Sequence, residues 1–316
     1  MDPVFRNATT LPLPDLGVLA VRGPDARRFL NGQLSQDVLS MDGSTVRLAG
    51  LHNAQGRALA VLRLVAWADD VILCVLPRSA VAEVRALLAR YLLRAKAALT
   101  DESDAWRLEG LRGDCLPGAA RREDGAVIWG HAPDGRCLRI TPLAASDAAT
   151  AAAGGPLPDT AALQAWHLAD IAAGLPQIHP GTRGEFVAQM LNLDVLGGIS
   201  FTKGCYTGQE VIARAHYRGR VKRRLQRFEA MLPADHAIPT PGETLRLADR
   251  RAAQLVHAVR RPDGRLEFLA VAPYATTADD AATDGTERPE ASRTDGPDAT
   301  TRLEATPLPL PYALPD

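Results

Sequence analysis

Two long apolar segments separated by a short acidic turn limit most strongly what this chain can fold into. They are RALAVLRLVAW at Arg57–Trp67 and VILCVLP at Val71–Pro77, and the turn between them contains Asp69 and Asp70. Continuous apolar runs of this length, bounded by turn residues, predict buried strands. LGVLAVRG at Leu16–Gly23 predicts a further strand. The first part of the chain is therefore expected to contain a buried sheet.

Three helices are predicted around these strands. PDARRFLNGQLSQDVL begins at Pro24 and has apolar residues at helical spacing, and proline suits a first helical position. SAVAEVRALLARYLL at Ser79–Leu93 is amphipathic. A third helix is predicted over Thr160–Ala173, where Gly174 would end it. With the hairpin sequences EDGAV and PDGRC, these patterns predict an α+β arrangement.

The C-terminal part has a different pattern. Four short strands are predicted within residues 225–274, and PDG at Pro262–Gly264 predicts a hairpin between the last two, so a small β-barrel is expected. Residues 275–302 contain no Leu, Ile, Val, Met or aromatic residue, which predicts a disordered insertion. Apolar residues return at 303–314, which we expect to dock on the barrel and complete it.

The composition excludes several classes of protein. The 316 residues carry a net charge of −1, from 36 Lys and Arg against 37 Asp and Glu, so any electrostatic function must be local. No apolar run reaches the roughly 18 residues that span a bilayer, and the N-terminal residues do not resemble a secretory signal. Cys74, Cys115 and Cys137 are expected to be buried small side chains in a reducing compartment.

The segment FTKGCYTGQEVIARAHYRGRVKRR, Phe201–Arg224, carries the candidate chemistry. Thr207 and Glu210 fit a helix capping box, which would place Cys205 just ahead of a helix N-terminus. The helix dipole and the nearby Lys203 would both favour the thiolate, which is the reactive and metal-binding form. An activated thiol and an ordinary buried cysteine both remain open from these residues alone.

A basic segment follows the cysteine. Seven cations lie within the fourteen residues from Arg214 to Arg227, interleaved with aromatic side chains. A solvated surface and an anion site, for a polyglutamate or phosphate tail or an RNA backbone, are both compatible with this pattern. No glycine-rich phosphate loop and no G-x-S-x-G elbow accompanies it.

KGCYTGQE at Lys203–Glu210, followed by ARA and the basic segment, resembles the signature of the YgfZ family, folate-binding relatives of the glycine cleavage T-protein. Four further segments resemble the family as well. They are the first predicted helix, the segment NAQGRALAVLRL at Asn53–Leu64, the segment GEFVAQMLNLDVLGGISF at Gly184–Phe201, and the C-terminal PLPYAL. The resemblance covers nearly the whole chain except the predicted insertion.

The resemblance implies an α+β fold of the GcvT/YgfZ type. In it, two interwoven α+β lobes form the folate-binding region, here residues 1–224, and a small C-terminal β-barrel follows, around a central opening. It also implies tetrahydrofolate or a one-carbon derivative as cofactor. Members support assembly or repair of iron–sulfur clusters in client enzymes, including a tRNA methylthiotransferase. The expected partners are therefore folate, iron–sulfur client enzymes and assembly proteins, and the expected location is the cytoplasm. Direct contact with nucleic acid and association with a membrane are not expected.

Residue by residue, the resemblance makes Cys205 the functional thiol, open to a role as nucleophile, redox sensor or transient cluster ligand, with no resident metal. Its turn would be shaped by Lys203, Gly204, Tyr206, Thr207, Gly208, Gln209 and Glu210. For the folate, the candidate contacts are Trp166, Asn53, Arg214, Arg218 and Arg220.

The sequence also departs from its relatives. Ala172 stands where a glutamate often precedes Ala-Gly, and an alanine side chain cannot make the hydrogen bond to the pterin that the glutamate makes in T-protein-like relatives. NAQGRALA lacks the aspartate that serves as catalytic acid in T-proteins, and Asn53 is the nearest polar candidate.

Three hypotheses follow. The first is a folate-dependent iron–sulfur maturation factor, the second a one-carbon transferase of the T-protein type, and the third a non-catalytic adaptor that binds a client protein or tRNA through the basic segment. The missing aspartate speaks against the second. Whether the protein is an enzyme stays open; a folate-dependent one-carbon transferase is the expectation if it is one.

Overall fold

The computed structural model describes residues 10–113, 115–144, 159–219, 221–274 and 301–315. Its α-helices are α1 Ala26–Gln33, α2 Val81–Ala89, α3 Thr160–Ala172 and α4 Gln209–Tyr217. Its strands are β1 Leu11–Pro12, β2 Leu16–Arg22, β3 Val46–His52, β4 Ala58–Ala68, β5 Val71–Pro77, β6 Ala98–Asp101, β7 Trp106–Arg112, β8 Ala120–Glu123, β9 Ala126–Gly130, β10 Arg136–Pro142, β11 Arg223–Met231, β12 Thr244–Arg246, β13 Ala252–Arg260, β14 Arg265–Pro273, β15 Thr301–Arg302 and β16 Ala305–Leu308.

The two apolar segments form the centre of the first sheet. β4 and β5 pair as an antiparallel hairpin within the strand order β3-β4-β5-β2-β6. Because side chains alternate along a strand, Leu62 and Leu64 of β4 pack with α1 and α2, while Val61, Arg63 and Val65 point to the opposite face. Both faces are covered, as the continuous apolar pattern predicts.

The second sheet has the order β1-β7-β10-β9-β8 and is antiparallel throughout. β1 belongs to this sheet, whereas β2, which begins four residues later, belongs to the first. A shared core joins Val18 and Val75 of the first sheet to Trp129 and Leu138 of the second. The chain therefore crosses between two α+β units from its beginning.

The C-terminal strands form a six-stranded sheet in the order β15-β12-β13-β14-β11-β16. The predicted barrel is not confirmed: among the described residues, β15 and β16 do not pair with each other, so no closed ring is found there. β16 lies antiparallel to β11, so the end of the chain returns to this sheet. The predicted insertion, 275–302, lies outside the described residues except for 301 and 302, which form β15 parallel to β12.

The first helix is shorter than predicted. α1 begins at Ala26, not at Pro24, and ends at Gln33, although Leu34 and Val38 beyond it are still buried in the core. Their apolar spacing therefore reflects burial of a non-helical segment. No helix in the described part of the chain is long and apolar enough to cross a membrane.

Candidate functional site

A cavity of about 730 Å³ lies where the first two sheets meet the C-terminal end of the chain. This volume is typical of small-molecule and cofactor sites. β3 and β4 supply one wall, β9 and the segment before β8 supply another, and the loop at 195–197 closes a third side. The polar residues on its wall include Gln36, Thr45, Arg47, Arg63, His131 and Tyr312.

Arg63 is the most unusual residue of this wall. It lies in the middle of β4 and is only 7% exposed, yet within the described part of the protein its guanidinium has no hydrogen-bond acceptor. Burial lowers the pKa of Arg63, while the nearby Asp170 opposes that shift. An arginine stays protonated in proteins, so this wall carries a buried cation with unused N–H donors.

A hydrogen-bonded charge cluster lies beside Arg63. Asp170 accepts from Arg136 Nη1 at 2.7 Å, and its Oδ1 lies 2.8 Å from His131 Nε2. Burial alone would raise the pKa of Asp170, but His131, Arg136 and Arg63 hold it below its usual range. Burial lowers the pKa of His131 to about 4. The imidazole of His131 is therefore neutral, and its Nε2–H donates a hydrogen bond to the ionised carboxylate of Asp170. Nδ1 of the same ring then carries no proton and is an acceptor.

Several polar atoms near the cavity have no partner among the described residues. Three of these atoms belong to residues of the cavity wall. They are Thr45 Oγ1, Trp129 Nε1 and His131 Nδ1, and each is buried and unpaired. Buried polar groups are almost always hydrogen-bonded in native proteins. These three atoms are themselves covered, whereas Arg63 borders the cavity without an acceptor, so Arg63 is the group of this wall that points to a polar ligand.

Trp166, one of the predicted folate contacts, is a core side chain. It is 2% exposed, its ring stacks on His131 with centroids 5.3 Å apart, and the guanidinium of Arg136 lies 4.5 Å from its ring. A Cβ on Gly110 would lie 2.4 Å from the indole, so the close packing of Trp166 against this strand requires glycine at position 110. A direct contact with folate through this ring stays a prediction, and the burial of the ring argues against it.

Lys203 fixes the cysteine turn to the first lobe. Its ammonium donates to the carbonyl oxygens of Asn31, Leu34 and Gln36, the last two at 2.7 and 3.1 Å. It also lies 4.9 Å from the ring of Tyr206, which is buried beneath it. Burial lowers the pKa of Lys203 to about 8, although three carbonyl acceptors favour the charged form. All three N–H donors are used, so the structure gives Lys203 a positioning role and no donor for the Cys205 thiolate.

Cys205 is exposed, three residues ahead of the N-cap of α4. The predicted capping box is corrected: the N-cap is Gly208, in a left-handed conformation, and no side chain caps the helix. Thr207 therefore does not have the predicted role, and Glu210 is an exposed residue of the first turn. Gln209 begins the helix, and its backbone N–H donates to Tyr206 O.

Gly208 packs against the loop that contains Asn53. Its φ is +83°, and a Cβ there would lie 2.4 Å from Asn53 O and 2.9 Å from Gly56 Cα. Asn53 itself closes that loop, because its Oδ1 accepts from the backbone N–H of Gln55 and Arg57. The Asn53 carboxamide oxygen is thus used structurally, which does not favour a role in folate chemistry.

The basic segment divides into structural and free cations. Arg224 is buried and forms a bidentate ion pair with Asp194, and Arg227 pairs with Glu267. Both are structural. Arg214 and Arg218 lie on and after α4, and no ion pair holds either of them within the described chain. The predicted folate contact Arg220 lies outside the described residues.

The other cysteines are partly as predicted. Cys74 and Cys137 are buried, but Cys115 is half-buried, which corrects the expectation for it. Arg121 Nη1 lies 2.8 Å from Cys115 Sγ, so this thiol faces a cation at the surface.

Sequence reasoning did not find Arg63, His131, Arg136 or Asp170. Arg63 offered the clearest signal, because it is a lone charge inside an otherwise apolar strand. The other three come from separate elements, and no spacing in the sequence links them.

Comparisons with known proteins agree with this arrangement. The structure is similar to a crystal structure of the glycine cleavage system aminomethyltransferase T from Bartonella henselae, with a TM-score of 0.59 and 15% sequence identity, over 84% of this chain and 78% of that chain. The fold is therefore that of the glycine cleavage aminomethyltransferases.

No family model matches the chain. The chain is, however, 32% identical over 278 residues to the tRNA-modifying protein YgfZ of Klebsiella pneumoniae (strain 342), which covers 82% of this chain and 83% of the relative. The chain belongs to the YgfZ family.

Proposed function

We propose that the protein binds tetrahydrofolate or a one-carbon derivative in the cavity, and that it assists the assembly or repair of iron–sulfur clusters in client enzymes through Cys205. A tRNA methylthiotransferase is the expected type of client, in keeping with the tRNA-modifying relative. The cluster is the substrate here and not a resident cofactor.

The observation that carries this proposal is the position of Cys205. It is exposed on a turn whose lysine is fixed by three backbone carbonyls, and one of those carbonyls belongs to Gln36 on the cavity wall. A reactive or metal-binding thiol needs access to its partner, which a buried cysteine lacks. The thiol is therefore available to a client while its turn is joined to the cavity.

The cavity suits a folate. Its volume is in the range of cofactor sites, and its wall combines apolar surface with a few unpaired polar groups that would orient a ligand, above all Arg63. When bound, a folate would supply a one-carbon unit or a reduced pterin beside the protein's own groups.

The one-carbon transferase hypothesis has less support. The Asn53 side-chain oxygen is used by the backbone of its own loop, and an amide is a poor general acid or base in any case. The adaptor hypothesis keeps one favourable observation: Arg214 and Arg218 lie near Tyr217, which is 67% exposed. Binding of an acidic client through them would fall steeply with salt.

The test combines folate binding with a cellular readout. Tetrahydrofolate is titrated anaerobically into the purified wild type and into Cys205→Ala, and both are then expressed in cells that lack the endogenous homologue. We expect equal folate affinity for the two proteins, and restored tRNA methylthiolation with the wild type alone. Full restoration by Cys205→Ala would overturn the role of the thiol, and a wild type that binds no folate form would overturn the folate part.

A further inference from the structure

We infer that Arg63 is the residue that holds the pterin end of the ligand, by donating hydrogen bonds to the carbonyl oxygen of its ring. This inference rests on the proposed function and assigns one residue and one part of the folate to each other. Arg63 was not among the candidates that the sequence offered.

The placement of Arg63 is set by the strand. Residues 61, 63 and 65 of β4 share the face that points away from α1 and α2, so the side chain leaves the first sheet toward the cavity. Leu48 and Val75 lie beside it on the neighbouring strands, and neither side chain offers an acceptor. With 7% of its surface exposed, Arg63 is almost fully removed from bulk water.

A guanidinium that is largely removed from water and has no acceptor in the protein is costly for the unliganded protein, even where it borders a cavity. The neighbouring Arg136 is better supplied with acceptors: its Nε and Nη1 donate to Asp134, Asp170 and the carbonyl of Trp166, and only its Nη2 is buried without a partner among the described residues. Arg63 receives only a longer-range attraction from Asp170. Its donors are therefore kept for a group that the protein itself does not supply.

The charges around Arg63 decide which group that is. Arg63 and Arg136 are balanced by the carboxylates of Asp134 and Asp170, so this end of the cavity is close to neutral. A glutamate tail would bring further negative charge next to the ionised Asp170, which like-charge repulsion opposes. A ring carbonyl is a strong acceptor without a net charge, and it suits this site better.

His131 gives the site a second, complementary group. With Nε2–H donated to Asp170, Nδ1 of this neutral imidazole is an unpaired acceptor of a residue that lines the same wall, and Nδ1 itself is covered by the surrounding side chains. A pterin carries ring N–H groups next to its carbonyl, so an Arg63 donor matches that edge, and the His131 acceptor matches it once the imidazole turns Nδ1 toward the cavity. A carboxylate has no N–H to offer Nδ1.

The experiment separates the two ends of folate. Tetrahydropterin and p-aminobenzoylglutamate are titrated anaerobically into the wild type, Arg63→Met and Arg63→Gln, alongside intact tetrahydrofolate. Arg107→Gln is the matched control, because Arg107 also lies on a strand but is exposed and does not line the cavity. Thermal unfolding of each unliganded protein is recorded in parallel.

We expect both Arg63 variants to bind tetrahydropterin at least about tenfold more weakly, as for loss of a hydrogen bond from a charged donor. Affinity for p-aminobenzoylglutamate should stay within about twofold of the wild type, and Arg107→Gln should leave the affinities for all three compounds within the same twofold range. The Tm of unliganded Arg63→Met should rise, because the variant removes a largely desolvated cation that no acceptor of the protein pairs.

Other outcomes overturn the inference. Unchanged tetrahydropterin affinity would remove Arg63 from the site, and a loss confined to p-aminobenzoylglutamate would reverse the assigned orientation. A lower Tm of both unliganded variants would make Arg63 a structural residue. A wild type that binds none of the three compounds would remove the proposed function itself, and the inference with it.

Discussion

Lys203 Nζ lies 3.1 Å from the carbonyl oxygen of Gln36, 167 residues earlier in the chain. The side chain of Gln36 continues the connection, because its Nε2 donates to Gly197 O at 2.7 Å. Gln36 and Gly197 both line the cavity. The turn that carries Cys205 is therefore held by the same backbone that forms the cavity wall. A change in the wall on ligand binding has a direct route to the thiol.

Replacing Lys203 should loosen this connection. Lys203→Met leaves the carbonyls of Asn31, Leu34 and Gln36 without their donor, and unsatisfied buried acceptors cost about 1–3 kcal/mol of unfolding free energy. Chemical denaturation measures this loss. Lys222→Met is the matched control, since Lys222 is exposed, and we expect its effect to stay within about 0.5 kcal/mol. Equal effects of the two substitutions would contradict the positioning role.

Gly204 and Gly208 should differ sharply in their tolerance of alanine. At Gly208 the left-handed φ and the contact of 2.4 Å with Asn53 O both oppose a Cβ, so Gly208→Ala should cost about 1–3 kcal/mol in stability. At Gly204 a Cβ would meet no atom within 4 Å, so Gly204→Ala should be neutral within about 1 kcal/mol.

Urea unfolding of the two alanine variants gives the comparison. A Gly208→Ala protein as stable as the wild type would show that the Asn53–Gly56 loop moves freely away from the cysteine turn. A strongly destabilised Gly204→Ala protein would show that the turn is packed more tightly than the structure has it.

The sequence predicts the first sheet well because its pattern is local. β4 and β5 follow their apolar segments within one residue at each end, since two buried strands joined by a short turn have little alternative. The C-terminal sheet is harder. Short strands predict β structure but not closure, and the pairing of β15 with β12 depends on residues far apart in sequence.

The sequence predicts the candidate site only where the functional residues are neighbours along the chain. KGCYTGQE locates the cysteine turn, and the structure keeps Cys205 exposed there. The role of Lys203 is not predictable, because its three acceptors lie far away in the chain, at separations of 172, 169 and 167 residues. The same holds for Asp170, whose partners come from β10 and the loop before it.

The four thiols should react in an order set by burial. Cys205 is exposed, whereas Cys74 is fully buried and burial raises the pKa of its thiol to about 12. Thiolate is the reacting form, so iodoacetamide should label Cys205 first and Cys74 last under native conditions. Timed quenching and peptide mass spectrometry measure the order.

Labelling in denaturant is the control for this order, because all four sites are then accessible and their rates should converge. Native labelling of Cys74 ahead of Cys205 would contradict the structure of the cysteine turn.

Acid should destabilise the protein partly through His52. This side chain lies behind Tyr206, is 2% exposed and has no hydrogen-bond partner for either ring nitrogen in the described part of the chain. Burial lowers its pKa from 6.5 to about 4. Above pH 6.5 the folded and unfolded states are both neutral at this site, but between pH 6.5 and 4 only the unfolded chain takes up the proton. The free energy of unfolding should then fall by about 1 kcal/mol for each pH unit of acidification in that window, from this histidine alone.

His52→Gln, which does not titrate, should show a shallower fall over the same window, whatever its stability at about pH 8. Urea unfolding at half-unit pH steps compares the two slopes. The comparison of slopes separates the titration of His52 from any packing change that the substitution causes, because a packing change shifts the whole curve and leaves its slope unaltered. Parallel slopes for wild type and variant would place the His52 pKa near its ordinary value and overturn this account.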